Sequence, residues 1–163
     1  MPKLIALTAA GLAAVMAALT PALAARHSAS APSSAARGAG GVKYSSTLGI
    51  RAEIPKPKGA SPNAGGTFAL TLTHTGSRYS VTWKLTFYRL SGKALAAHIH
   101  IGPPSGTGPV VVPLCGPCTS GQSGKAPAPA KLVAALKSQT AYVNVHTKRN
   151  PAGEIRGRIY PAR

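Results

Sequence analysis

From residue 42 onward, apolar and polar residues alternate with a period of two, and stretches rich in Gly and Pro cut that alternation into short runs. A period of two belongs to strands with one face buried, and it is incompatible with the 3.6-residue repeat of a helix face. In GVKYSSTLGIRAEI (41–54), Val42, Tyr44, Leu48, Ile50, Ala52 and Ile54 share one parity while Lys43, Ser45, Thr47, Arg51 and Glu53 take the other, which predicts one long half-buried strand. PKPKGASPNAGG (55–66) must then be a loop. TFALTLTH (67–74) and YSVTWKLTF (79–87), joined at Thr75-Gly76-Ser77, form a hairpin with Phe68, Leu70, Leu72, Val81, Trp83 and Leu85 inward. ALAAHIHI (94–101) follows, then the loop GPPSGTGP (102–109) and a short strand at Val110–Val112.

Only PAKLVAALKSQ (129–139) has helical spacing, with proline at its start and Lys137 in the last turn. TAYVNVHT (140–147) and EIRGRIY (154–160) close the chain as strands, separated by Asn150-Pro151-Ala152-Gly153, whose residue order suits a type I turn. The expectation is an all-β Greek-key β-sandwich of about seven antiparallel strands with one short helix. It occupies residues 42–163, enough for a single core.

Residues 1–24 carry one charge at Lys3, an apolar run from Leu4 to Leu19 and a small-residue exit at Ala22-Leu23-Ala24, the pattern of a cleaved secretory signal peptide. Residues 25–41, mostly Ala, Ser and Gly, read as a flexible tether. A secreted or cell-envelope location follows, with no transmembrane segment left after cleavage. The chain holds 19 Lys and Arg against two acids, Glu53 and Glu154, and no aspartate, for a formal charge of +17. The bases are scattered with few aromatics between them, which disfavours nucleic acid and favours anionic envelope polymers or another extracellular protein as partners. Oligomeric state is not legible.

Cys115-Gly-Pro-Cys118 matches the tetrapeptide of thiol–disulfide exchange, but the setting differs. TSGQSGKAPAPA (119–130) is too rich in Gly, Ser and Pro to supply the helix that activates such a cysteine. A structural zinc site lacks its second cysteine pair, so a local disulfide is expected.

The histidines are a better signal. Leu95, Ala97, Ile99 and Ile101 share one parity in ALAAHIHI, leaving His98 and His100 together on the other face, ~7 Å apart along the strand. In AYVNVHT, Val143 and Val145 point inward and Asn144 and His146 lie on the polar face. If the two strands are neighbours, His98, His100 and His146 converge in a number sufficient for copper or zinc. Asn144 and Glu154 are candidates for supporting the histidines by hydrogen bonds. For Glu154, an ion pair with Arg156 or Arg158 is the leading assignment. A Ser-His-Asp triad is excluded by the missing aspartate, and no nucleophile motif or phosphate loop is present, so no catalytic residue is assigned and the sequence leans against an enzyme without deciding it.

AHIHIGPPSGTGPVVVPL (97–114) and AYVNVHTKRNPAGEIRGRI (141–159) closely resemble the CHRD domain, the module repeated in chordin and found singly in secreted bacterial proteins. The resemblance implies a secreted β-sandwich, superoxide-dismutase-like or immunoglobulin-like, that acts as a non-enzymatic binding or envelope-associated module. His98, His100 and His146 are also similar to the copper ligands of copper–zinc superoxide dismutases. The zinc-site aspartate and the metal-bridging histidine of those enzymes have no counterpart here, so the likeness implies at most a single copper or zinc site and not dismutase activity.

Overall fold

In the computed structural model, which describes residues 40–163, the alternation becomes nine antiparallel strands. The expected signal peptide at 1–24 and nearly all of the expected tether at 25–41 lie outside the described residues. The strands are β1 (Val42–Gly49), β2 (Gly65–Thr75), β3 (Arg78–Tyr88), β4 (Ala94–Ile101), β5 (Val110–Cys115), β6 (Ser123–Pro127), β7 (Ala141–Thr147), β8 (Ile155–Arg158) and β9 (Tyr160–Pro161). One helix, α1 (Ala130–Lys137), sits between β6 and β7 and buries Leu132, Val133, Ala135 and Leu136.

All nine strands belong to one sheet in the order β5-β4-β7-β8-β1-β2-β3-β6, with β9 pairing with β1 beside β8. The sheet curls until it is nearly closed into a barrel. This corrects the expected seven-stranded sandwich. The two edges meet at a cleft lined by Val111, Val112, Pro113 and Ala126 to Pro129. Pro113 and Pro127, which have no N–H to donate, stand on those edges, so complete closure by ladder hydrogen bonds is blocked there.

Three local departures have physical causes. β1 stops at Gly49, where a 3-10 turn over Ile50–Ala52 redirects the chain and carries Glu53 inward, to 1% exposure. SGKAP, within the segment judged too rich in Gly, Ser and Pro for a helix and assigned no strand, is β6: its backbone pairs with β3, and Gly124 leaves room for the Trp83 indole, against which a Cβ would collide. In β4 a register shift between Ala94 and Ala96 resets the parity, so Ala94 and Ala97 face the core and Leu95 is exposed.

The core is the inner surface of the curled sheet closed by α1, with Phe68, Leu70, Leu85, Ile99, Leu132, Leu136, Val143, Val145, Ile155 and Ile159 all at 2% exposure or less. Each such side chain contributes about 1.5–3 kcal/mol by burial. Cys115 and Cys118 form a disulfide at the end of β5, with Cα atoms 5.2 Å apart, and the Cys118 N–H donates to the Ala94 carbonyl. A ring so small contributes at most about 2 kcal/mol by the chain-entropy argument and fixes a loop rather than the fold.

Candidate metal centre

β4 and β7 are hydrogen-bonded neighbours, and their register sets the site. His98 stands opposite Asn144, His100 opposite Tyr142, and His146 opposite Ala96. Cross-strand partners share a face, so all three histidines leave the same side of the sheet, away from the apolar core. One donor nitrogen from each lies within 4.8 Å of the other two, the one such grouping of ligating side chains among the described residues. The His98 and His146 rings are 4.9 Å apart between centroids, with His100 at 5.7 and 6.2 Å from them.

Two of the imidazoles have their tautomer fixed by the backbone. His100 donates from Nδ1 to the Gly108 carbonyl at 2.9 Å, and His146 donates from Nδ1 to the Pro151 carbonyl at 2.9 Å. A carbonyl only accepts, so Nδ1 carries the proton in each, and each Nε2 is left with a lone pair. His146 Nε2 uses its lone pair on His98 Nδ1 at 3.0 Å, while His100 Nε2 is buried without a partner. Buried nitrogens left in that state call for a ligand or ordered water. Burial lowers the pKa of all three rings: His98 falls to about 4, helped by the neighbouring His146 and His100, and in His100 and His146 the bonds to Gly108 and Pro151 only partly oppose it. The rings are therefore neutral at neutral pH, the form that ligates metal.

The polar face is itself covered. The 102–109 loop folds over β7 and β8: Gly108 accepts from His100 and donates its N–H to the Tyr142 hydroxyl at 3.0 Å, and Arg156 donates to the Gly106 carbonyl at 2.9 Å. His100 stacks on Tyr142, with centroids 5.0 Å apart, and the Arg156 guanidinium lies 3.5 Å from the centre of the same ring. Asn144, at 3% exposure, lies beside His100 and Glu53, where its side chain opposes the burial-driven pKa shift of each, and its Oδ1 has no hydrogen-bond partner. Glu53 Oε2 and Arg156 Nη1 are likewise buried and unpaired. The site reaches the surface through a cleft of about 380 Å³ lined by Leu95, Ala96, His98, His146, Lys148 and Pro151.

Glu154 departs from expectation. Its carboxylate accepts from the Ser91 N–H at 2.6 Å, the Ser91 hydroxyl, the Thr147 hydroxyl at 2.6 Å and the Asn150 amide at 3.2 Å. It pairs with neither Arg156 nor Arg158 and bonds to no histidine; those cations cap the carbonyls of Pro103, Gly106, Gly102 and Gln139. Burial raises its pKa, but the four hydrogen bonds outweigh that and hold the carboxyl below its usual range. Its role is to fasten the start of β8 to the 91–92 turn and the 147–150 turn. Sequence parity did bring out the histidines. Tyr142 has the parity of Asn144 and His146 and could have been placed on their face, whereas nothing marked Gly108 or the inward turn of Glu53.

Set against known families, the chain matches the family model described as the CHRD domain over residues 44–159. No curated protein and no solved structure matches it.

Proposed function

The chain belongs to the CHRD-domain family, and from that premise we propose that it is an extracytoplasmic binding module whose ligand at the histidine face is a copper or zinc ion. The observation that carries the reading is the convergence of three neutral imidazole nitrogens, one of them buried and unpartnered and two oriented by backbone carbonyls. The donor set is purely imidazole, which suits copper and zinc and not magnesium or calcium, whose hard ions take oxygen ligands. Copper(II) exceeds zinc in affinity at such a set by the general order of the divalent metals. His98 Nδ1, His100 Nε2 and His146 Nε2 would hold the ion, and Gly108 and Pro151 supply the second-layer hydrogen bonds that metal-bound histidines require. The signal-peptide pattern read from residues 1–24 supports the location, and no helix among the described residues is long and apolar enough to cross a membrane.

Titration of the full-length protein with copper(II) or zinc against a chromophoric chelator tests this. The expected result is one equivalent bound, copper the tighter, and loss of that equivalent in H98A/H100A/H146A with the far-ultraviolet spectrum unchanged. Equal binding by the wild type and the triple variant would overturn the reading.

A further inference from the structure

Both acids of the chain are buried, Glu53 at 1% and Glu154 at 0% exposure, so among the described residues no side-chain carboxylate reaches the surface. Every charge that this part of the chain shows to solvent from its side chains is positive. One region arranges those charges regularly. The registers of β1, β2, β3 and β6 line up Lys43, Thr71, Thr82 and Lys125 as one row across the sheet, with Ser45, Ala69, Lys84 and Ser123 as the next. Lys43, Lys84 and Lys125 are exposed, and between them runs a shallow trough of about 760 Å³. With strands ~4.8 Å apart, the lysines ending the first row stand roughly 14 Å apart, and Lys84 lies in the second row, ~7 Å along the strands. β9 extends the second row, because Tyr160 pairs with Ser45, and Tyr160 is 49% exposed.

We infer that this outer face of β1, β2, β3, β6 and β9 is a docking surface for a linear acidic polysaccharide. The three lysines supply charge at the spacing of several successive sugars, the Ser and Thr hydroxyls can exchange hydrogen bonds with sugar hydroxyls, and Tyr160 offers an apolar platform for one ring face. The composition turns away from nucleic acid: the two rows contain no arginine to grip phosphate as a fork, and one tyrosine does not give successive bases their stacking partners. The surface lies on different strands from the histidines and stands whether or not those bind metal.

The test is binding of the full chain to immobilised polygalacturonate at low salt, with melting curves confirming that each variant is folded. The wild type binds, and affinity falls as salt rises. K43Q/K84Q/K125Q loses on the order of tenfold or more, as three lost contacts require. Y160A weakens binding without altering its salt dependence, and K93Q/K131Q/K137Q, which removes the same charge from exposed positions elsewhere, stays near wild type. Equal losses in the two triple variants would reduce the effect to net charge and overturn the proposal. Binding to single- or double-stranded DNA as tight as to polygalacturonate would also overturn it.

Discussion

His100 is suited to the proposed role of ligand because its other nitrogen is occupied: by donating from Nδ1 to Gly108 it leaves a lone pair on Nε2 to which nothing among the described residues donates. Such detail is only half legible in a sequence. Parity places His98, His100 and His146 on one face, but hydrogen bonds to backbone carbonyls come from loops whose paths the alternation does not encode. Glu53 shows the opposite failure, since its parity placed it with solvent-facing Lys43 and Arg51 and the 3-10 turn buried it instead. Burial raises its pKa to about 7, against the lowering effects of the Ile54 N–H, Arg156 and Asn144. A carboxyl whose pKa is higher in the folded than in the unfolded chain favours folding fully below about pH 4.5, and that contribution is lost as pH rises through about 7. His98 acts in the opposite sense, costing stability as pH falls from 6.5 through about 4, and His100 and His146, whose pKa values burial also lowers, act in the same direction as His98. Glu53→Gln should therefore gain stability over wild type at pH 8 and not at pH 5, measured by urea denaturation at both. An equal effect at the two pH values would show that the carboxyl does not titrate in that window.

Among the elements, the strands were largely readable, as were the positions of the 75–77 turn, the 102–109 loop and the 150–153 turn, while the contacts the loops make were not. β2, β3, β4 and β7 fall within two residues of the apolar alternation that foretold them, and α1 lies inside its predicted span. β6 was missed because its pairing rests on backbone bonds to β3 and its glycine serves Trp83, so its side chains carry no strand pattern. The 102–109 loop is the element on which the site most depends. Gly108 meets His100 through its carbonyl and Tyr142 through its N–H, and a Cβ there would run into the Ile101 carbonyl oxygen. Gly108→Ala should thus displace the loop and weaken metal affinity by roughly 10- to 100-fold, the range for losing a bond that orients a ligand. Metal titration alongside thermal melting checks this, and an unchanged affinity would remove Gly108 from the site.

At the scale of the whole molecule, charge acts in opposite senses on the two proposed sites of one sheet. The described surface carries lysine and arginine without a compensating side-chain carboxylate, a condition suited to holding a polyanion and unsuited to attracting a divalent cation. Long-range repulsion is screened by salt, so metal affinity at the histidines should rise as ionic strength increases while polygalacturonate affinity falls. Titrations of both ligands across a salt series would reveal that opposition, and metal affinity that fell with salt would mean attraction by groups this account does not contain. The proposed metal centre requires three imidazoles to close on one ion through His98 Nδ1, His100 Nε2 and His146 Nε2. Nitrogen-15 NMR of the histidine rings during zinc titration tests it most directly. His98, which donates from Nδ1 to His146 in the absence of metal, should shift its proton to Nε2 on loading, while His100 and His146 keep theirs on Nδ1 and show metal-bound Nε2 shifts. Ring nitrogens that stay unchanged at one equivalent of zinc would contradict it.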